Sequence, residues 1–195
     1  GDPQMCRELL ERHQPSAGEG DQRGLEWHYL WNQGDSPGRV LHAGRGALYY
    51  VCVSPDGRYL AAAGQESVVR IYDAASEREI AAVETRQKEA NGLAFSVDGQ
   101  TLVTAGDDGT LCLWDWVSRV ERQGIAGHPE RAYQVVIVPE ESLLVSCGDD
   151  PVIRLWDLET GRSRGVLQGH ERPLEAIALA PDGRTLASAG SDRAV

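Results

Sequence analysis

Ser146, His128 and Asp150 are the three residue types of a hydrolase triad, and the sequence keeps them close: Ser146 and Asp150 fall in "SCGDDPVIRLWD" (146–157), His128 in "AGHPERAY" just upstream. In a triad the imidazole takes the hydroxyl proton and the carboxylate orients the imidazole. Two features of the chain speak against that chemistry. The same set returns as His170, Ser188 and Asp192 one fixed step later, and repeats duplicate structural devices far more readily than active sites. Ser146 also lies in "LLVSCG", an apolar strand-like run, and not in a G-x-S-x-G elbow that would present its hydroxyl for attack.

The elements that position these residues are set by that step. "SPDG" at 54–57, "SVDG" at 96–99, "VPEE" at 138–141 and "APDG" at 180–183 are each 42 residues apart. The same spacing links Tyr72-Asp73, Trp114-Asp115 and Trp156-Asp157, and it links Gly127-His128 to Gly169-His170. Within one step, short runs rich in β-branched and aromatic residues are separated by Pro, Asp and Gly turns. The second unit predicts strands over "GLAFS", "TLVTAG", "TLCLWD" and "ERQGIA". Four strands per unit make one antiparallel sheet, and a unit of this length with an early Gly-His and a late Trp-Asp bears the signature of a propeller blade.

On these residues the chain resembles the WD40 repeat family over 39–195. The first unit departs from the pattern, with Ala43-Gly44 in place of Gly-His and Tyr72 in place of Trp, and the fourth stops before its Trp. The resemblance implies an all-β fold: a partial WD40 β-propeller of about 3.5 four-stranded antiparallel blades, truncated at the C-terminus, with a short α-helical N-terminal segment. The expected divisions are a helical segment over 1–36, an outer strand over 37–42, units over 43–84, 85–126 and 127–168, and an incomplete unit over 169–195. The resemblance also implies a buried hydrogen-bonded chain in each blade, formed here by His128, Ser146, Asp150 and Trp156, then by His170, Ser188 and Asp192. Such a chain suits its chemistry, since an indole N–H needs a buried acceptor and a hydroxyl can link it to an imidazole and a carboxylate. The second unit keeps Thr104, Asp108 and Trp114 but has Arg86 at the His position, and the first keeps only Glu66, so these two blades are expected to be held less rigidly. Finally, the resemblance places partner contacts on the face bearing Tyr49, Gln65, Glu89, Asn91, Asp107, Arg131, Tyr133, Asp149 and Glu175.

Residues 1–35 do not follow the period. "PQMCRELLERH" and "DQRGLEWHYLWNQ" place Met5, Leu9 and Leu10, then Leu25, Trp27, Leu30 and Trp31, at helical spacing, with Asp21 as an N-cap. This segment followed by repeats is similar to large bacterial WD40 proteins that carry a serine/threonine kinase domain, although no kinase motif is present in the chain. "RVLH" at 39–42 reads as a stray outer strand. A ring of this kind lacks its closing blade, and the expectation is that the remaining blades of a parent chain complete it; alone, the piece would expose sheet faces and associate.

The formal net charge of −11 argues against a nucleic-acid or anionic-membrane surface and for a basic protein or peptide partner. Cys6, Cys52, Cys112 and Cys147 have no metal-binding spacing and read as small buried thiols, which favours the cytoplasm. No run reaches the length of a membrane span. The sequence calls for no cofactor and no metal, and for no catalytic residue. It points to a non-enzymatic protein-protein interaction scaffold within a larger protein. The alternative is a sensory region of a bacterial serine/threonine kinase, and an enzymatic propeller comes last because the innermost strands read "YYVCVS", "GLAFS", "QVVIV" and "AIALA".

Overall fold

A computed structural model describes residues 41, 44, 46–139 and 141–195. The helical segment expected over 1–36 and, apart from Leu41, the outer strand expected over 37–42 lie outside the described residues. All described strands belong to the unit 43–195.

That unit is all-β. Strands β1 (Leu48–Val53), β2 (Tyr59–Gly64), β3 (Val68–Asp73) and β4 (Glu79–Glu84) form the first sheet in chain order. The second contains β5 (Ala90–Phe95), β6 (Thr101–Gly106), β7 (Thr110–Asp115) and β8 (Val120–Ala126), and the third β9 (Ala132–Val138), β10 (Leu143–Gly148), β11 (Asp150–Asp157) and β12 (Ser163–Gln168). The fourth pairs β13 (Leu174–Leu179) with β14 (Leu186–Gly190). Every pairing is antiparallel between sequence neighbours, which short turns allow. The series of sheets is that of a partial propeller.

Local chemistry sets the turns. After β1, Ser54 Oγ donates to Asp56 Oδ1 at 2.6 Å, the Arg58 amide donates to the same oxygen, and Gly57 takes a φ of 72°. Ser96, Asp98, Gln100 and Gly99 repeat this after β5. The Asp of each aromatic-Asp pair fixes the next turn: Asp73 accepts from the Ser76 amide at 2.7 Å, Asp115 from Ser118 at 3.0 Å and Asp157 from Thr160 at 2.8 Å. These are Asx-type turns, where a short acceptor holds an amide a few residues on.

The sheets stack on their apolar faces. Ile71, Val69 and Ala61 of the first meet Leu93, Leu102 and Trp114 of the second; Leu111, Leu113 and Ile125 of the second meet Val135, Leu144 and Trp156 of the third. Val145, Cys147 and Ile153 of the third meet Leu174 and Ile177 of the fourth. The first strands β1, β5, β9 and β13 are consecutive neighbours. Although "QVVIV" reads as apolar, Gln134 bridges three of them: its Nε2 donates to Tyr50 Oη at 3.0 Å and its Oε1 accepts from the Ile177 amide at 2.9 Å. The sequence offered no signal for this link, because only the stacking brings the residues together.

Candidate functional site

Adjacent strands of the third sheet place the residues of the triad-like set. β10 pairs with β11 so that Ser146 sits opposite Arg154 and Leu144 opposite Trp156. The Trp156 indole N–H donates to Ser146 Oγ at 3.0 Å, and the same oxygen lies 2.8 Å from His128 Nε2. His128 Nδ1 is 3.3 Å from Asp150 Oδ2, which also accepts from Arg154 Nη1 at 2.6 Å. Ser146 is fully buried, so its hydroxyl has no approach for a substrate and its hydrogen bonds serve the sheet. Burial pushes the His128 pKa below the ordinary imidazole value, with Asp150 acting in the opposite direction.

The fourth sheet repeats the set without an indole. His170 Nε2 lies 2.9 Å from Ser188 Oγ, and Nδ1 lies 2.9 Å from Asp192 Oδ2. Asp192 also accepts from the Glu171 and Ala194 amides, and with His170 these hold its carboxyl down to about 2. Both shifts act in the same sense. A depressed folded pKa contributes stability above the unfolded value and loses it as pH falls. The His128 contribution is therefore complete above about pH 6.5 and declines below it, whereas that of Asp192 declines between the ordinary carboxylate value of 3.8 and about 2. Urea denaturation at pH 7.5 and 5.5 is expected to show a lower midpoint at the acid pH, and His128→Gln is expected to flatten that difference.

The second sheet departs from the sequence expectation. Arg86, at the His position, is an exposed side chain within 3.8 Å of Glu121. The next residue, Gln87, is fully buried and takes the place of the imidazole. Trp114 Nε1 donates to Thr104 Oγ1 at 3.2 Å, and Thr104 donates to Gln87 Oε1 at 2.7 Å. Gln87 Nε2 donates to Thr110 O at 2.8 Å and Oγ1 at 3.0 Å, and Thr110 Oγ1 donates to Asp108 Oδ1 at 2.7 Å. Every donor in this run has an acceptor, so the expected looseness of the second blade is not what the geometry gives. Gln87→Ala is expected to cost about 1–3 kcal/mol by leaving the buried Thr104 hydroxyl without its acceptor, while Arg86→Ala stays within about 0.5 kcal/mol; chemical denaturation of the two variants checks the pair.

Among the described residues the first sheet has no such run. Ala62 stands where the hydroxyl would be, and the buried Tyr72 hydroxyl has no hydrogen-bond partner among the described residues. Arg70 bridges Glu66 at 3.3 Å and Glu79 at 3.1 Å.

The starts of β1, β5, β9 and β13 and the loops beside them bring most of the expected partner-facing residues into a connected row. Tyr49, 47% exposed, has its phenol pKa raised by what burial it has, then by Glu89 and Asp107 beside it. Asp107 pairs with Arg131 Nε at 2.9 Å. Tyr133 is half-buried, and burial and then Asp149 raise its pKa while Arg131 acts the other way. Glu175 accepts from Ser191 Oγ at 2.8 Å. Two residues are tied to the backbone: Asn91 Nδ2 donates to Ala132 O of the next sheet at 3.1 Å, and Gln65 Oε1 accepts from the Ala47 amide at 3.4 Å. Among the described residues no group of His, Cys, Asp and Glu is arranged to hold a metal. Cys52, Cys112 and Cys147 are free thiols, pushed up to about 12, 11 and 12 chiefly by burial; they are inert as nucleophiles. Cys6 lies outside the described residues.

Sheets of one repeating unit, stacked face to face and pinned by an indole on a buried hydroxyl, define a blade-repeat protein. The family model described as "WD domain, G-beta repeat" matches residues 36–73, 83–115, 120–157 and 161–195, and the chain belongs to the WD40 repeat family. No curated protein matches it. WD40 repeat domains are generally non-enzymatic scaffolds that mediate protein-protein interaction.

Proposed function

We propose that this chain is a protein-interaction platform that takes a basic segment of its partner on the loop face running from Tyr49 to Glu175. The observation that carries the reading is the row itself: Glu89, Asp107, Asp149 and Glu175 lie beside two tyrosines, and Arg131, which stands in the row, is tied to Asp107. Acidic groups at a rim steer and select a basic partner, while Tyr side chains supply contact area and one hydroxyl each. The overall charge of −11 adds long-range attraction of the same sign preference. The reading as part of a kinase rests on the helical pattern of residues 1–36 alone, outside the described residues.

Titration of a fluorescent Lys/Arg-rich peptide onto the protein tests the proposal. Tyr133→Ala and Asp149→Ala are each expected to weaken binding by more than about 1 kcal/mol, roughly fivefold in Kd, with little change in the melting transition. Equal affinity in both variants would remove this face from the account.

A further inference from the structure

Between the first and second sheets, three aromatic rings form a plug. Trp116, 5% exposed, meets Tyr59 edge-on at 4.9 Å between centroids and Phe95 at 6.3 Å, and its indole N–H donates to Gly99 O at 2.7 Å. One period later the same three positions hold Leu158, Thr101 and Ile137. The strands repeat but the rings do not, and between the second and third sheets lies a cleft of about 660 Å³ lined by all three of these residues, with buried Leu113 on its wall. Replacing three rings by two aliphatic side chains and a small hydroxyl leaves space that a fixed backbone does not close. Its size falls in the range of small-molecule sites, roughly 300–1,000 Å³.

The polar groups at the cleft are of unequal availability. Arg122 is engaged by Asp115 at 3.2 Å and by Thr101 Oγ1 at 3.2 Å, and the Gln123 amide donates to Thr160 O at 2.7 Å. Asp98 is held as a carboxylate chiefly by the Ser96 hydroxyl and the Gln100 amide, both donating to Oδ1, with Arg122 acting in the same direction. Glu159 is exposed on the same lining. A cleft with Leu113, Ile137 and Leu158 on its apolar side, two carboxylates on its polar side and Arg122 already paired with Asp115 favours an aromatic ligand that carries positive charge.

We propose that this cleft is a binding site for a small arylalkylamine: the ring occupies, one unit along, the place Trp116 fills between the first two sheets, and the ammonium lies against Asp98 and Glu159. The site is separate from the loop face and does not depend on that face binding anything. Tryptamine is the probe, titrated onto the 195-residue protein by calorimetry and by ligand-observed NMR. Tryptamine is expected to bind saturably with a Kd of about 1 mM, the level that a dozen-atom ligand reaches at ordinary efficiency. Indole-3-acetate, with the opposite charge, is expected to bind at least fivefold more weakly. Leu158→Trp rebuilds the plug and is expected to weaken tryptamine at least tenfold while raising the melting temperature. Glu159→Lys, at an exposed position that does not threaten folding, is expected to weaken tryptamine about fivefold. No saturable tryptamine binding up to ~10 mM, equal binding of the two ligands, or unchanged affinity in Glu159→Lys or in a folded Leu158→Trp would overturn the proposal.

Discussion

Trp156→Ala is expected to unfold at a stability about 3–5 kcal/mol below the parent, the range for truncating a large aromatic in a packed core. The indole contributes in two ways. Its ring packs among Leu111, Ile125 and Leu144 at the junction of two sheets, and its N–H satisfies a hydroxyl with no access to water. Trp156→Phe separates them: it keeps most of the ring contact and removes the donor, and about 1–3 kcal/mol of the loss is expected to remain. Ser146→Ala is expected to fall in the same range. In a double-mutant cycle, Trp156→Phe with Ser146→Ala should cost clearly less than the two losses added, because both variants break one hydrogen bond. Additive losses by chemical denaturation would mean that the indole and the hydroxyl act independently.

Gly148→Ala is the second large effect, at about 3 kcal/mol, the upper end of the overpacking range. A Cβ at Gly148 would overlap the carbonyl oxygen of Arg131. That carbonyl cannot retreat, since it accepts from the Asp149 amide at 2.9 Å and sits where β9 and β10 change register. Gly99 is the control. It has a φ of 69° and open space within 4 Å of where a Cβ would lie, so Gly99→Ala meets only the left-handed backbone penalty of about 1 kcal/mol. Urea midpoints of the two variants should differ accordingly, and equal midpoints would show that strand approach at Gly148 is not the constraint.

What the sequence makes legible follows from where the information sits. The sheets were readable because 42-residue spacing without insertions puts turn, aromatic-Asp and Gly-His signals in register, and each signal has a local cause, such as Asp98 holding its own turn. Gln87 was hidden for the same reason. It occupies the imidazole's place one residue out of register, so strict alignment by period points to Arg86, which faces solvent. Gln134 was hidden because its partners, Tyr50 and Ile177, come from two other sheets and share no spacing rule with it. The row on the loop face was legible as a set of positions. Its pairings were not: that Asp107 neutralises Arg131, and that Asn91 is spent on a backbone carbonyl, depends on how neighbouring sheets are set against each other. The cleft beside Leu158 is visible only by comparing two sheet junctions, since Thr101, Ile137 and Leu158 are unremarkable until Tyr59, Phe95 and Trp116 show what the same positions hold one unit earlier.

Amide hydrogen exchange of the 195-residue protein, with and without a saturating Lys/Arg-rich peptide, tests the interaction reading most directly because it reports where a partner sits. The expected result is slowed exchange at the loop-face segments around Glu89–Asn91, Asp107, Arg131–Tyr133 and Asp149, with the turns at the other ends of the sheets, around Asp98 and Asp157, unchanged. Slowed exchange confined to those opposite turns, or no change anywhere at saturation, would contradict it.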